Sequence, residues 1–331
     1  MELRPQARLE SATAFEAGQE ALERGAWEEA RSALEQALLT GESPEASFGL
    51  GQALWWLGEI RESVRCWERA YVAFRRRPDP VQAVNVALQL GFVYQANLGN
   101  HAAASGWAAH AARLVDDFGL EPLQGWVSLL EASGCSDSCQ GETLAREARQ
   151  MAFEAGDRDL ELCALSQIGG ALIEQGRIDE GVPLIDEAMA GALAGEGQLD
   201  TVVFTSCQMI HSCNRCADFQ RVVQWVRAAD RFMESYGCPY LDATCRAHYG
   251  GVLFATGDWP RAEEELQAAL DLSGDAQPVV RGEALARLAE LRLAQGRIEE
   301  AELLLAGFED HEAALPVCTR IQLLRGKPSL A

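Results

Sequence analysis

Four stretches, GAWEEARSALEQAL (25–38), GRIDEGVPLIDEAM (176–189), GDWPRAEEELQAAL (257–270) and GRIEEAELLLAGF (296–308), are copies of one pattern. Each opens on glycine and carries a large apolar residue two places on. Ala or Gly follows five places after the glycine, and a leucine eight or nine places after it. Weaker copies open at 58, 99 and 217, and one at 136 fits if Ser136 replaces the glycine. A last opening, GKPSLA, begins at 326. The turns therefore fall near 25, 58, 99, 136, 176, 217, 257, 296 and 326, most of them 37 to 41 residues apart. Repetition at this period marks a stacked array and is informative before any single motif is.

Each glycine ends one amphipathic helix, because glycine enters the left-handed cap conformation at little cost. The next helix starts two or three residues later. Pro260 sits at such a start, where its missing N–H costs little. Pro183 lies deeper and is expected to kink its helix. The unit is thus a helical hairpin, with a first helix such as CALSQIGGALIEQG (163–176) and a second such as RAEEELQAALDL (261–272). The small residue after the turn lets the two helices approach closely. A lone hairpin cannot bury its apolar faces, but stacked neighbours bury a continuous core. The expected fold is all-α, a superhelix of about eight stacked hairpins, forming a single domain over residues 1–331.

The pattern resembles the tetratricopeptide repeat, with units several residues longer than its usual 34. The longer units, and phrases such as AREARQMAFEAGD and ALARLAELRLAQGRIEEAELLLAGFEDH, resemble the helical-repeat region of bacterial LuxR-type regulators related to the maltose activator. That resemblance implies a region that senses a ligand or protein partner, in proteins whose C-terminal helix-turn-helix binds DNA. The chain departs from the longer family members twice. It has no GxxxxGK[ST] loop, and no helix-turn-helix follows residue 309. GKPSLA also stops where the second helix of a hairpin should begin. The expectation is a chain cut mid-repeat, without a DNA-binding domain. Ile321, Leu323 and Leu324 would then be poorly protected or covered by another chain, as in a homodimer.

Charge narrows the partners. The net charge of −22 opposes binding to a nucleic-acid backbone or an anionic membrane, both of which need clustered positive charge. No apolar run approaches the roughly 20 residues of a membrane span, and MELRPQARLE has no signal-peptide core. A cytoplasmic location is expected, with the ten cysteines mostly acting as small packing residues.

The densest polar motif is CQMIHSCNRC (207–216), three cysteines and a histidine within ten positions. On a helix, at about 100° per residue, Cys207 and His211 share a side while Cys213 points about 160° away from His211. One zinc ion cannot reach both. A Cys213–Cys216 redox pair would lie at a helix C-terminus, where the dipole disfavours thiolate. CSDSC (135–139) lies in or beside a turn. No cofactor is expected. GLGQAL (49–54) lacks the third glycine of a dinucleotide loop, HEAAL (311–315) lacks a second histidine, and no GxSxG occurs. With no acid–base pair or nucleophile dyad, an enzyme is not expected. Glu263-Glu264-Glu265 reads as a solvated outer face. Arg75-Arg76-Arg77 closes a helix and suits its negative end, with a partner-binding patch as the alternative.

In such hairpins the first helices line the concave face. The positions three, six, ten and about thirteen before the turn select Gln52 and Trp55, then, in a hairpin read as one residue longer, Asn85, Phe92 and Gln95. Trp126 and Leu130 follow, then Phe204, Cys207, His211 and Asn214 with Arg215 alongside, and finally Phe254. Aromatic walls with a few convergent polar groups suit a small molecule, a peptide or a protein segment. Arg215 favours an anionic group on it. The expected function is ligand or partner sensing within a transcriptional regulator; the alternative is a free-standing scaffold for protein–protein interaction.

Overall fold

The computed structural model describes residues 5–39 and 41–327. Among them are seventeen α-helices and no strand. Sixteen alternate in pairs across short turns: α1 (Pro5–Glu23) and α2 (Trp27–Leu38), α3 (Pro44–Trp56) and α4 (Ile60–Arg76), α5 (Pro80–Ala96) and α6 (His101–Phe118), α7 (Glu121–Ser133) and α8 (Ser138–Ala155). Then come α9 (Arg158–Glu174) and α10 (Ile178–Leu193), α11 (Leu199–Arg215) and α12 (Phe219–Tyr236), α13 (Pro239–Thr256) and α14 (Trp259–Ser273), α15 (Pro278–Ala294) and α16 (Ile298–Leu305). The last is α17 (Leu315–Leu324). This is the all-α, TPR-like repeat architecture. The expected break after Ala331 lies outside the described residues.

The turns follow the glycines. Gly25, Gly58, Gly99, Gly176, Gly257, Gly296 and Gly326 all have φ between 63° and 93°. At Gly25 the N–H of Ala26 reaches back to the carbonyl of Ala21 at 2.9 Å, and at Gly176 that of Arg177 reaches Leu172 at 2.9 Å. These bonds satisfy carbonyls that the helix end would leave bare. Ala217 adopts φ 57° at the equivalent turn, the only described non-glycine residue with positive φ. Its Cβ is strained there. Ala217→Gly should therefore stabilise the protein by about 0.5–1 kcal/mol, the relief of strain exceeding glycine's unfolded-state entropy. Urea denaturation measures this, and a lower midpoint would refute it. The turn near 136 works differently. Gly134 has φ −91°, and Asp137 caps α8 by accepting from the N–H groups of Cys139 and Gln140.

The small residue after each turn sits at the helix crossing. Ala30, Ser63, Ala262 and Ala301 have no accessible surface. Ser63 keeps its hydroxyl satisfied by donating to the Gly51 carbonyl of the facing helix at 2.7 Å. Pro183 is accommodated inside α10, which runs on to Leu193.

The chain divides into two compact units. One runs to Met209 and includes Glu234–Cys238; the other comprises Ile210–Met233 and the chain from Pro239 onward. In the first, Ile60, Phe74, Leu90 and Leu114 belong to one buried cluster and Leu129 and Leu160 to the next. In the second, Leu266, Leu288, Leu291, Leu305 and Ile321 are joined in one core. Ile321 is thus covered by its own unit, while Leu323 and Leu324 are exposed.

Candidate functional site

In the second unit, three successive first helices bring a polar cluster together. The end of α11 contributes His211 and Asn214, α13 contributes His248, and α15 contributes Glu283 and Arg287. His248 is 6% exposed. Its Nδ1 lies 2.7 Å from Nδ2 of Asn214 and 3.1 Å from Nη2 of Arg287. A guanidinium can only donate, so Nδ1 must be the acceptor and the ring proton must sit on Nε2. That in turn sets the amide of Asn214. Its NH2 faces the ring, and its Oδ1 is turned away as an acceptor. Arg287 thereby orients Asn214 through the imidazole.

Charge is arranged to keep His248 neutral. Burial, aided by the positive charge of Arg287, pushes its pKa down to about 3. Burial would raise Glu283, but the neighbouring Arg287 outweighs it and holds the carboxyl down at about 2. Glu283 accepts from Nε of Arg287 at 2.9 Å. Gly251 on α13 makes room for this arginine. A Cβ there would stand 2.1 Å from Nη1 of Arg287. His211 is exposed and meets His248 edge-on, ring centroids 6.3 Å apart. Arg215 is exposed as well.

In the first unit the aromatic residues chosen from the sequence lie on the first-helix face, and they have internal partners. Phe92 and Phe204 meet edge-to-face at 6.0 Å, and both pack with Trp126 against the Leu129 and Leu160 cluster. Trp126 donates to Asp157 at 2.8 Å, and Trp55 donates to the carbonyl of the Asn97 side chain at 3.2 Å. The next residue, Trp56, stacks on Trp27 at 4.4 Å and donates to Asp200 of α11 at 3.0 Å. Trp27 donates to the Tyr236 backbone carbonyl at 2.6 Å. Asp200 keeps solvent contact as a residue, yet protein crowds its carboxyl. Desolvation raises its pKa to about 6 against the pull of the Trp56 N–H.

Gln52, Asn85, Gln95 and Cys207 are half-buried. Phe254 is half-buried beside Trp259, ring centroids 6.2 Å apart. Leu130 is a correction. It is 2% exposed and lies in the core, where it fills the space above Gly91 that a Cβ would occupy. Cys213 has no accessible surface while His211 is exposed, so the two point to opposite sides of α11. No group of three His, Cys, Asp or Glu gathers among the described residues as a metal would require.

The sequence reading missed His248, Glu283 and Arg287. His248 and Arg287 stand nine residues before Gly257 and Gly296, and Gln167 and Gln208 hold the same place before the turns at 176 and 217. A polar residue repeated at one register was the available signal.

No helix among the described residues is long and apolar enough to cross a membrane. No family model matches the chain, and no curated protein does. Solved structures do. The apo form of RapI aligns with 80% of this chain and 97% of its own, at TM-score 0.59 and 12% identity. A Rap protein complexed with competence and sporulation factor aligns over 97% of this chain and 99% of its own, at 0.57 and 10%. NprR in complex with its cognate peptide NprX aligns over 86% and 84%, at 0.52 and 12%. At such identities the likeness is one of fold: the chain shares the helical-repeat architecture of these proteins.

Proposed function

We propose that this protein is a binding protein, not an enzyme, and that it takes a peptide or protein segment on the first-helix face of its second unit. The observation that carries this reading is the fixed amide of Asn214. Arg287 and His248 hold its NH2, so Oδ1 offers one oriented acceptor to a backbone N–H. His211 and Arg215 stand beside it, and Arg215 suits a carboxylate on the ligand. Preorganisation of this kind lowers the ordering cost of binding. Two of the similar structures are complexes, a Rap protein with competence and sporulation factor and NprR with its cognate peptide NprX.

A random peptide library selected on the purified chain provides the probe. Asn214→Ala, His211→Ala and Arg215→Ala should each weaken the selected peptides by about 1–3 kcal/mol, the cost of a lost hydrogen bond in a partly buried site. Melting temperatures should stay unchanged in the His211 and Arg215 variants, whereas Asn214→Ala, which also gives up its bond to buried His248, should melt lower. Failure to select any peptide, or equal binding by all three variants, would sink the proposal.

A finer reading is the sensing region of a LuxR-type transcriptional regulator, supported by the resemblance of its repeat phrases. It expects the reading frame to continue into a helix-turn-helix segment. A stop codon directly after residue 331 would favour a free-standing scaffold instead.

A further inference from the structure

The second helices of the first unit carry another, chemically different surface. On α6, Trp107, His110 and Arg113 follow one another at intervals of three and form a ridge. On α4, Tyr71 and Arg75 are four apart and face it. The rings of Tyr71 and Trp107 meet edge-on at 4.9 Å, and His110 lies 5.6 Å from Trp107 and 5.9 Å from Tyr71. Tyr71 and Trp107 are half-buried, while His110, Arg75 and Arg113 are exposed. Burial raises the Tyr71 phenol, and the charges of Arg75 and Arg113 pull the other way, which places both guanidinium groups beside the rings.

These arginines are unusual in their surroundings. The chain has 50 acidic residues against 28 basic ones, and its arginines are mostly engaged. Arg31 pairs with Glu28 and Glu59, Arg158 with Glu161 and Glu196, Arg325 with Glu299 and Glu302. Even Arg77, next to the patch in sequence, pairs with Glu45. Among the described residues no carboxylate forms an ion pair with Arg75, Arg76 or Arg113, although Asp117 follows Arg113 by one helical turn. The dipole of α4 accounts for basic residues in its last turn, Arg75 and Arg76. It accounts neither for Arg113, inside α6, nor for the three rings.

We infer that this α4–α6 face is a docking site for a short acidic segment of a partner protein, carboxylates on Arg75 and Arg113 and an apolar side chain against Trp107. Arginine beside aromatic rings is a recurrent composition of binding hot spots. The patch consists of five residues on two helices, whereas a stable protein–protein interface engages roughly 20–30 residues a side, so it fits a linear segment. A second copy of this chain is a poor occupant, because two bodies each of charge −22 repel.

The test uses fluorescent ten-residue peptides with four Asp or Glu around one Phe or Leu, and the same peptides with Asn and Gln instead. Anisotropy titrations on the full chain should show binding of acidic peptides that weakens at high salt. Binding should fall at least tenfold in the Arg75→Glu/Arg113→Glu variant and in Trp107→Ala. Arg149→Glu, on α8, should leave it unchanged. Circular dichroism confirms that each variant is folded; if Trp107→Ala is not, the exposed-arginine variant decides alone. Equal binding of the neutral peptides, equal binding by the charge-reversed variant, or no binding of any acidic peptide would overturn the inference. So would a concentration-dependent self-association that the charge reversal abolishes. The first-helix face plays no part, so failure of the peptide reading above would leave these outcomes unaffected.

Discussion

Moving from pH 7 to pH 4.5 should cost the second unit roughly 2.5 kcal/mol of stability through His248 alone. Folded His248 titrates near 3, well below its usual 6.5. Between those values the unfolded chain binds a proton that the folded one refuses. The contribution is therefore complete above pH 6.5 and shrinks as the pH falls toward 3. The main physical cause is burial, aided by the positive charge of Arg287, and the nitrogen that would take the proton, Nδ1, is already occupied. Two donors hold it, one of them the Arg287 cation. Glu283 acts in the same direction at lower pH. Its folded value is held near 2, so its contribution disappears between the ordinary carboxylate range and 2. His248→Gln removes the titration while keeping a polar side chain. Urea unfolding at both pH values, followed by circular dichroism, separates this from general acid effects. The wild type should lose more stability on acidification than the variant does. An identical loss in both would show that His248 is not held neutral.

Replacing Gly181 with valine should lower the stability of the first unit by about 3 kcal/mol, roughly 10 °C in melting temperature. In most hairpins the residue five places after the turn is alanine or serine, and its Cβ sets the helix spacing. Here α9 and α10 meet through two glycines. A Cβ on Gly181 would stand 2.5 Å from the Gly169 carbonyl oxygen, and one on Gly169 would stand 2.8 Å from that of Gly181. The obstacle is backbone, which cannot rotate away as a side chain can. Gly181→Ala should already be harmful, whereas Gly106→Ala, where nothing lies within 4 Å, should be harmless or slightly favourable. Thermal melts of the three variants give the ranking. A mild Gly181→Val would mean that the two helices can slide apart freely.

The hairpins were legible because they depend on local chemistry. A glycine, a small residue and an apolar stripe specify a turn and a crossing wherever they recur. The same logic was available but unused for the ends of the second helices, where Gly119, Gly156, Gly195, Gly237 and Gly274 also take positive φ. Ala217 shows the limit from the other side: the stack imposed a left-handed turn on a residue that disfavours it. The site was only half legible. His211, Asn214 and Arg215 follow from their places before a turn, and they stand together on α11. Leu130 obeyed the same spacing but is core, because Gly91 opens a hole on the neighbouring helix that a leucine fills. His248 and Arg287 acquire their roles from one another across three helices. No spacing within one repeat encodes such a contact.

The bond from Trp56 to Asp200 alters how the first unit comes apart. An array held together only by neighbouring hairpins frays from its ends, each repeat lost at little cost to the rest. Here an early hairpin is fastened to a helix 144 residues further along the chain, and Trp27 is fastened to Tyr236 beyond it. Closing a loop of that length costs about 1 kcal/mol more in chain entropy than pairing adjacent repeats. That cost falls on assembly, and once it is met no repeat between the fastened points is terminal. The first unit then melts in one cooperative transition, and its intervening hairpins are shielded from stepwise unravelling.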